Sequence, residues 1–347
     1  MQFTTAEIMG GLGNQLFQIF TLLAYSLKNK SLFYFSNNPI HHGQRKKTYW
    51  DTALLQNLKP FVKAPPTNNE PRILPELGFH YHALPFYDEG HIRLFGYFQS
   101  FKYFQEEQEK IYRLLNVQEC QEKIREKTAT NAANVANATN VANVANATNA
   151  TNAYNNTIAL HFRVGDYKNL PNHHPIMSLA YYTKALTQFL KDTHPHPDPH
   201  PDPHPILYFC EKADQDYVET KFITPLKENP DFKDKFTFQC IDHDLSDWEQ
   251  MMTMSLCKYF IIANSTFSWW GAYFGGSIKS SIQKATNNND NGNDNDNNND
   301  HGNDNDNDHD NNNEKHYVYY PSTWFGAAMG YKNMTDFFPP NWHKINV

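Results

Sequence analysis

The sequence predicts an α/β protein of two domains, the second built on a parallel sheet. Three observations carry this. The length, 347 residues, leaves room for about two domains at roughly 150 residues each. The second half alternates short apolar runs with helical stretches in βαβα order, which implies parallel strands and right-handed crossovers. Three turns rich in glycine, charge or hydroxyls each follow an apolar run, the place where open α/β sheets bind ligands.

In chain order, Thr4–Met9 reads as a strand, followed by Gly10-Gly11-Leu12-Gly13-Asn14-Gln15. Apolar residues Leu16, Phe17, Ile19, Phe20, Leu23, Ala24 and Leu27 then recur at helical spacing. Strand, glycine turn and helix form a phosphate-cradle layout, because a helix N-terminus presents free N–H groups. The dinucleotide fingerprint is not met: Leu16 occupies the third glycine position, and no acid lies about 20 residues on. A glycine turn serving only helix–strand packing is the structural alternative. Leu32–Phe35 and Ile92–Phe95 read as strands and Phe101–Leu115 as a helix.

Residues 128–156 repeat Ala, Asn, Thr and Val without an apolar stripe, and are expected to be a disordered bridge between domains 1–127 and 157–347. Ile158–Phe162, Ser178–Lys191, Ile206–Cys210, Asp214–Ile223, Phe236–Ile241, Asp247–Leu256 and Tyr259–Ala263 then alternate strand and helix. Two more low-complexity insertions interrupt this half, a Pro/His/Asp stretch at 192–205 and an Asn/Asp stretch at 286–314. The histidines His194, His196, His200 and His204 could catch a metal, but composition explains them. Tyr317–Tyr320 reads as a last strand.

Composition excludes several function classes. Net charge is −7, yet nine acids lie in the Asn/Asp stretch alone, leaving the remainder close to +2. No basic footprint for nucleic acid is present. Cys120, Cys210, Cys240 and Cys257 stand far apart with no CxxC, which argues against a disulfide framework and a zinc knuckle. Reduced thiols in a cytosolic protein are expected. The polar opening Met1–Glu7 does not read as a signal peptide, and Leu16–Leu27 is too short to span a bilayer. A cytoplasmic chain without a transmembrane segment is expected, with peripheral membrane association left open.

The chemistry-bearing stretch is His161-Phe162-Arg163-Val164-Gly165-Asp166, at the end of a predicted strand. A guanidinium presents a planar, permanently charged fork to phosphate oxygens. A structural Arg163–Asp166 ion pair is the alternative. The second stretch, Asn264-Ser265-Thr266-Phe267-Ser268, puts hydroxyls at a strand end opening a helix, suited to an anion or to plain N-capping. Trp269 and Trp270 are expected to pack the helix. Two Asp-x-Asp pairs, Asp214/Asp216 and Asp242/Asp244, could hold a divalent metal; the first look like helix N-terminal acids favoured by the dipole, and the second could face the cleft and contact a nucleotide.

The combination of Gly10–Gln15, His161–Tyr167, Ile261–Trp270, Gly96–Ser100 and Met254–Lys258 resembles glycosyltransferase family 11, the α-1,2-fucosyltransferases. The resemblance implies a GT-B fold, two Rossmann-like domains facing across a cleft. It implies GDP-L-fucose as donor and the 2-hydroxyl of a terminal galactose in a glycan as acceptor, with inversion and without metal or other cofactor. Transposed by motif, Arg163 holds the donor diphosphate, with His161 and Asp166 in the same motif. Gly11, Gly13, Asn14 and Gln15 reach the donor from one domain and Ser265, Thr266, Phe267 and Ser268 from the other. His161 or Asp166 would remove the acceptor proton. Members commonly carry two adjacent arginines, whereas Val164 stands second here. Val164→Arg is therefore expected to gain activity if the missing guanidinium matters. Two alternatives remain: a transferase with another donor or acceptor, such as protein O-fucosylation, and a weakly active glycan- or nucleotide-binding protein.

Overall fold

The computed structural model describes residues 2–37, 47–65, 70–138, 154–194, 202–276 and 317–347. Two parallel sheets organise them. The first runs in the order β2-β1-β6-β5, with β1 Gln2–Ala6, β2 Leu32–Phe33, β5 Arg72–Pro75 and β6 Gly90–Phe95. A separate pairing joins β3 Phe35–Ser36 to β4 Val62–Lys63. In the centre, β1 pairs with β6 from Gln2↔Gly90 to Ala6↔Leu94. Four of the five β1 residues are buried, as expected of a parallel strand covered on both faces.

The second sheet runs β12-β11-β10-β7-β8-β9, all parallel. Its strands are β7 Ile158–His161, β8 His204–Phe209, β9 Phe236–Cys240, β10 Tyr259–Ile261, β11 Val318–Pro321 and β12 His343–Ile345. Counted from β7 as strand one, the order is 6-5-4-1-2-3. That is the doubly wound Rossmann arrangement, whose ligand crevice opens where strand order reverses, here between β7 and β10.

Helix α1 (Leu12–Asn29) is buried from Leu12 through Ser26 apart from Asn14, so it lies inside the molecule. It ends at Lys30, left-handed at φ 52°, whose N–H caps the Ser26 and Leu27 carbonyls. Helices α2 (Gln108–Leu115) and α3 (Val117–Ala138) follow in the first half. In the second half come α4 (Leu179–Thr193), α5 (Asp247–Leu256) and α6, described over residues 266–276. A capping box starts α5: the Ser246 N–H and hydroxyl both donate to Glu249 Oε2, at 2.8 and 2.6 Å.

The halves share one core. Phe17 and Phe20 of α1 meet Trp269 and Trp270 of α6, each pair with ring centroids 4.5 Å apart. Phe104 stacks on Trp270 at 5.4 Å, and Phe337 joins Phe17 at 6.0 Å. The tryptophans pack as expected, and a single apolar cluster runs from α1 through α5 and α6.

Several boundaries differ from the sequence reading. The bridge expected at 128–156 begins as helix: α3 continues through Ala138, and Thr128 accepts a hydrogen bond from the Tyr154 hydroxyl at 3.0 Å. The first half of α3 is docked on α5 through Gln121–Ser255 at 2.8 Å and Lys127–Glu249 at 2.6 Å. An anchored helix extends readily into alanine-rich sequence. The expected helix Phe101–Leu115 breaks into a 3-10 turn, Phe101–Tyr103, and α2, while Phe101 and Phe104 turn into the core. The edge strands β5 and β12 were not foreseen; each is short and mostly exposed, so alternation is faint. The insertion at 192–205 is shorter than read, since α4 runs to Thr193 and β8 starts at His204. His194 and His204 meet at 3.3 Å between their Nε2 atoms; His196, His200 and the insertion at 286–314 lie outside the described residues.

Candidate active site

A cleft of about 930 Å³ opens between the sheets and takes its walls from both. From the first half come Gly10–Asn14, after β1, and Tyr97 and Gln99, after β6. From the second come His161 at the end of β7, Arg163 and Asp166 after it, Cys210–Lys212 after β8, and Asn264–Phe267 after β10. All three anticipated turns therefore meet in one crevice, at the C-terminal ends of strands and at the switch point of the second sheet.

Two helix N-termini converge there. Gly10 has φ +77°, which lets the chain turn from β1 into α1. Gly11 is the N-cap of α1 without a side-chain cap, and the first turn holds no acid. A Cβ at Gly13 would lie 2.5 Å from the Thr266 carbonyl carbon, so only glycine lets α1 approach the start of α6 this closely. Asn14 Oδ1 accepts from Thr266 Oγ1 at 2.9 Å and from Gln99 Nε2 at 2.8 Å, joining three loops. Two positive helix ends without a neutralising carboxylate in α1's first turn form a seat for an anion.

Arg163 lies beside this seat, half a turn past β7. Its guanidinium pairs with Asp166 and with Glu211, and stacks 4.8 Å from the Tyr167 ring. The Tyr167 hydroxyl donates to the Asn264 carbonyl at 3.1 Å, tying this loop to the next. The ion pair foreseen as an alternative to phosphate binding thus exists, and Glu211, which the sequence reading did not single out, reinforces it. Its signal was only an acid following a strand end. Asp214 holds the same loop from beneath: it accepts from the Gly165 N–H at 2.7 Å and from Lys168 Nζ at 2.7 Å. That buried carboxylate is a brace rather than the metal ligand considered for the Asp214/Asp216 pair. Asp242 and Asp244 are exposed in the turn after β9 and do not line the cleft, so the nucleotide contact considered for them is not seen.

Other anticipated residues divide. Gly11, Gly13, Asn14, Ser265, Thr266 and Phe267 line the cleft, whereas Gln15 and Ser268 do not. The Gln15 amide donates to the Gly10 and Lys47 carbonyls at 2.8 and 2.7 Å, fixing the glycine loop. The Ser268 hydroxyl donates to the Ser265 carbonyl at 3.2 Å and is fully buried. Val164, where a second guanidinium was expected to be missing, is 1% exposed and belongs to the buried apolar cluster that holds Phe162, Tyr181 and Tyr182. An arginine there would enter the core, so the expected gain from Val164→Arg does not follow from this geometry.

His161 is buried with its ring 5.5 Å from Phe267, and its Nδ1 has no hydrogen-bond partner among the described residues. Burial, helped by the Arg163 charge, pushes its pKa down to about 3. A neutral imidazole of that kind is a weak base. Glu76, following β5, is a residue the sequence reading missed. Burial raises its pKa despite backbone N–H donors at Tyr97, Phe98 and Gln99, the first at 2.8 Å. Its Cβ would be 2.3 Å from one on Gly96, so that glycine makes room for it. It lines the cleft from the side opposite Arg163's sheet. The only signal in sequence was a carboxylate at the end of an unrecognised edge strand.

Residues 222–302 match the model of Glycosyl transferase family 11. The chain is 32% identical over 121 residues to the O-antigen biosynthesis glycosyltransferase WbnK of Escherichia coli, a match covering 34% of this chain and 34% of that protein. The chain thus spans about a third of the length of the curated relative it matches. Among solved structures, an arginine-to-lysine mutant of Arabidopsis thaliana FUT1 in complex with GDP shares 11% identity, with 79% of this chain and 68% of that chain covered and a TM-score of 0.38. A glycosyl transferase family 9 structure from Veillonella parvula shares 9% identity, covering 100% and 85%, with a TM-score of 0.34.

Proposed function

We propose that this chain, for which the two sequence matches support glycosyltransferase family 11, transfers L-fucose from GDP-L-fucose to the 2-hydroxyl of a terminal galactose, with inversion. The observation that supports this reading best is the anion seat. Two helix N-termini and Arg163 border one crevice between two Rossmann-like sheets.

In the reaction the bond between fucose C1 and the β-phosphate oxygen breaks, leaving GDP with the electron pair. The acceptor oxygen bonds to C1 from the opposite face and its proton passes to a base. Charge develops on the departing diphosphate, where fixed N–H groups and a guanidinium can receive it. In this reading no metal bridges the diphosphate. Arg163 must first exchange Asp166 or Glu211 for phosphate oxygens, so the carboxylates hold the guanidinium in place until the donor arrives. Glu76 is the better base: its raised pKa brings it closer to neutral, whereas His161 holds protons too weakly and Asp166 is engaged with Arg163. A relative named for O-antigen biosynthesis makes a saccharide acceptor the natural class.

The deciding experiment incubates the protein with GDP-L-fucose and galactose-terminated oligosaccharides without added Mg2+ or Mn2+, followed by mass and linkage analysis. An α-1,2-linked fucose on galactose is expected. Transfer to a peptide hydroxyl, or GDP binding without product, would replace this reading with one of the alternatives.

A further inference from the structure

Outside the anion seat, one cluster of metal-ligating side chains stands apart among the described residues. Cys240 ends β9, and its register partner on β8 is Tyr208. Cys210 lies two residues beyond Tyr208, and side chains two apart on an extended chain share a face. The Ile241 N–H donates to the Tyr208 carbonyl at 2.9 Å, so the pairing persists to the strand ends. The chain then turns through Asp242, whose carboxylate accepts from the Asp244 N–H at 2.9 Å. That turn brings His243 back, with Nε2 3.4 Å from Cys240 Sγ. The three donor atoms lie within 4.8 Å of one another. Both thiols are free. Cys210 is buried, Cys240 and His243 are half-buried, and Cys210 and His243 line the cleft.

We infer that Cys210, Cys240 and His243 form a three-ligand site for a thiophilic divalent cation, Zn2+, with its fourth position facing the cleft. Zn–S bonds of about 2.3 Å and a Zn–N bond of about 2.0 Å put tetrahedral donors about 3.5 Å apart; Cys240 Sγ and His243 Nε2 already stand at 3.4 Å, and the Cys210 thiol is within 4.8 Å of both. Two thiolates and a neutral imidazole offset the cation's charge, so the site adds no net charge beside the anion seat. Binding releases two thiol protons to solvent and changes no oxidation state. Three protein ligands and an open position are the arrangement of accessible zinc sites, as opposed to closed structural ones. Cys210 directly precedes Glu211, so the cation would fix the backbone from which Glu211 holds Arg163.

The test uses the full-length protein, reduced and stripped with a chelator, then titrated with Co2+ as a spectroscopic stand-in for Zn2+. One equivalent is expected to give a thiolate-to-cobalt charge-transfer band, reversed by one equivalent of Zn2+. Cys240→Ser and His243→Ala should lose the band or its tetrahedral d–d pattern, while Cys120→Ser and Cys257→Ser keep both. Histidines near 194–204 cannot produce a sulfur band, so they do not confuse the result. No charge-transfer band in the unaltered protein would overturn the inference. So would a band surviving in a Cys210→Ser/Cys240→Ser variant, or a Cys210–Cys240 disulfide found by mass spectrometry of the freshly purified chain in place of metal.

Discussion

At the scale of single residues, the site is governed by which charge faces which. Arg163 is held by two carboxylates, of which Glu211 is exposed and Asp166 half-buried. Arg163 is the only guanidinium lining the cleft among the described residues, and Arg163→Ala is expected to lower kcat/KM by about 10²–10³-fold. Glu211→Gln should act the other way on donor binding. It removes a competitor for the guanidinium, so the Kd for GDP falls, measured by calorimetry; an unchanged or higher Kd would mean that Glu211 is not displaced. Glu76→Gln separates the bases: the acid limb of the pH–rate profile should vanish with little change in KM if Glu76 takes the proton. His161 carries a stability prediction. Its folded pKa is depressed far below the usual 6.5, so the unfolded chain binds the extra proton at mildly acidic pH. Stability is therefore complete above about pH 6.5 and falls below it, by up to about 1.4 kcal/mol per pH unit. His174 and His204 shift the same way, so His161→Gln should reduce the slope without abolishing it, read from denaturant midpoints at pH 7 and pH 5.5.

At the scale of elements, the proposed function rests on the close approach of α1 to the start of α6. Both helices enter the same crevice only because position 13 has no side chain. Gly13→Ala should force the two apart, costing about 1–3 kcal/mol and most of the affinity for GDP. Normal GDP binding by a folded Gly13→Ala protein would show that the two helix ends do not act together. Val164 makes the complementary point. It follows Arg163 in the motif, but the turn directs it into the Phe162–Tyr181–Tyr182 cluster. Val164→Arg is thus expected to destabilise the fold by roughly 3–5 kcal/mol, as an unpaired charge is buried, and to gain no activity.

At the scale of the molecule, the two sheets are not free to swing. Domains joined by small polar contacts move relative to each other, while those sharing a large apolar interface do not. Here Phe17, Phe20, Phe104, Trp269, Trp270 and Phe337 interleave across the boundary. The two halves should unfold in a single calorimetric transition. Phe20→Ala should lower that one midpoint, at a cost of about 3–5 kcal/mol, without resolving a second. Two separated transitions would show that the core is not shared.

Local order in the sequence determined much of this. The βαβα alternation, the glycine loop before α1 and the motif around Arg163 are short-range patterns, and backbone geometry translates them directly into strands, turns and helix starts. The span of α5 and the burial of the tryptophans were legible for the same reason. What lay beyond reach were meetings across long separations: Glu211 on Arg163, Glu76 against the Gly96 turn, Gln15 and Ser268 turned inward, and Cys210 beside Cys240. No periodicity encodes such pairs. They exist because the strand order of the second sheet sets β8 beside both β7 and β9, and because one aromatic core locks two sheets around a single crevice.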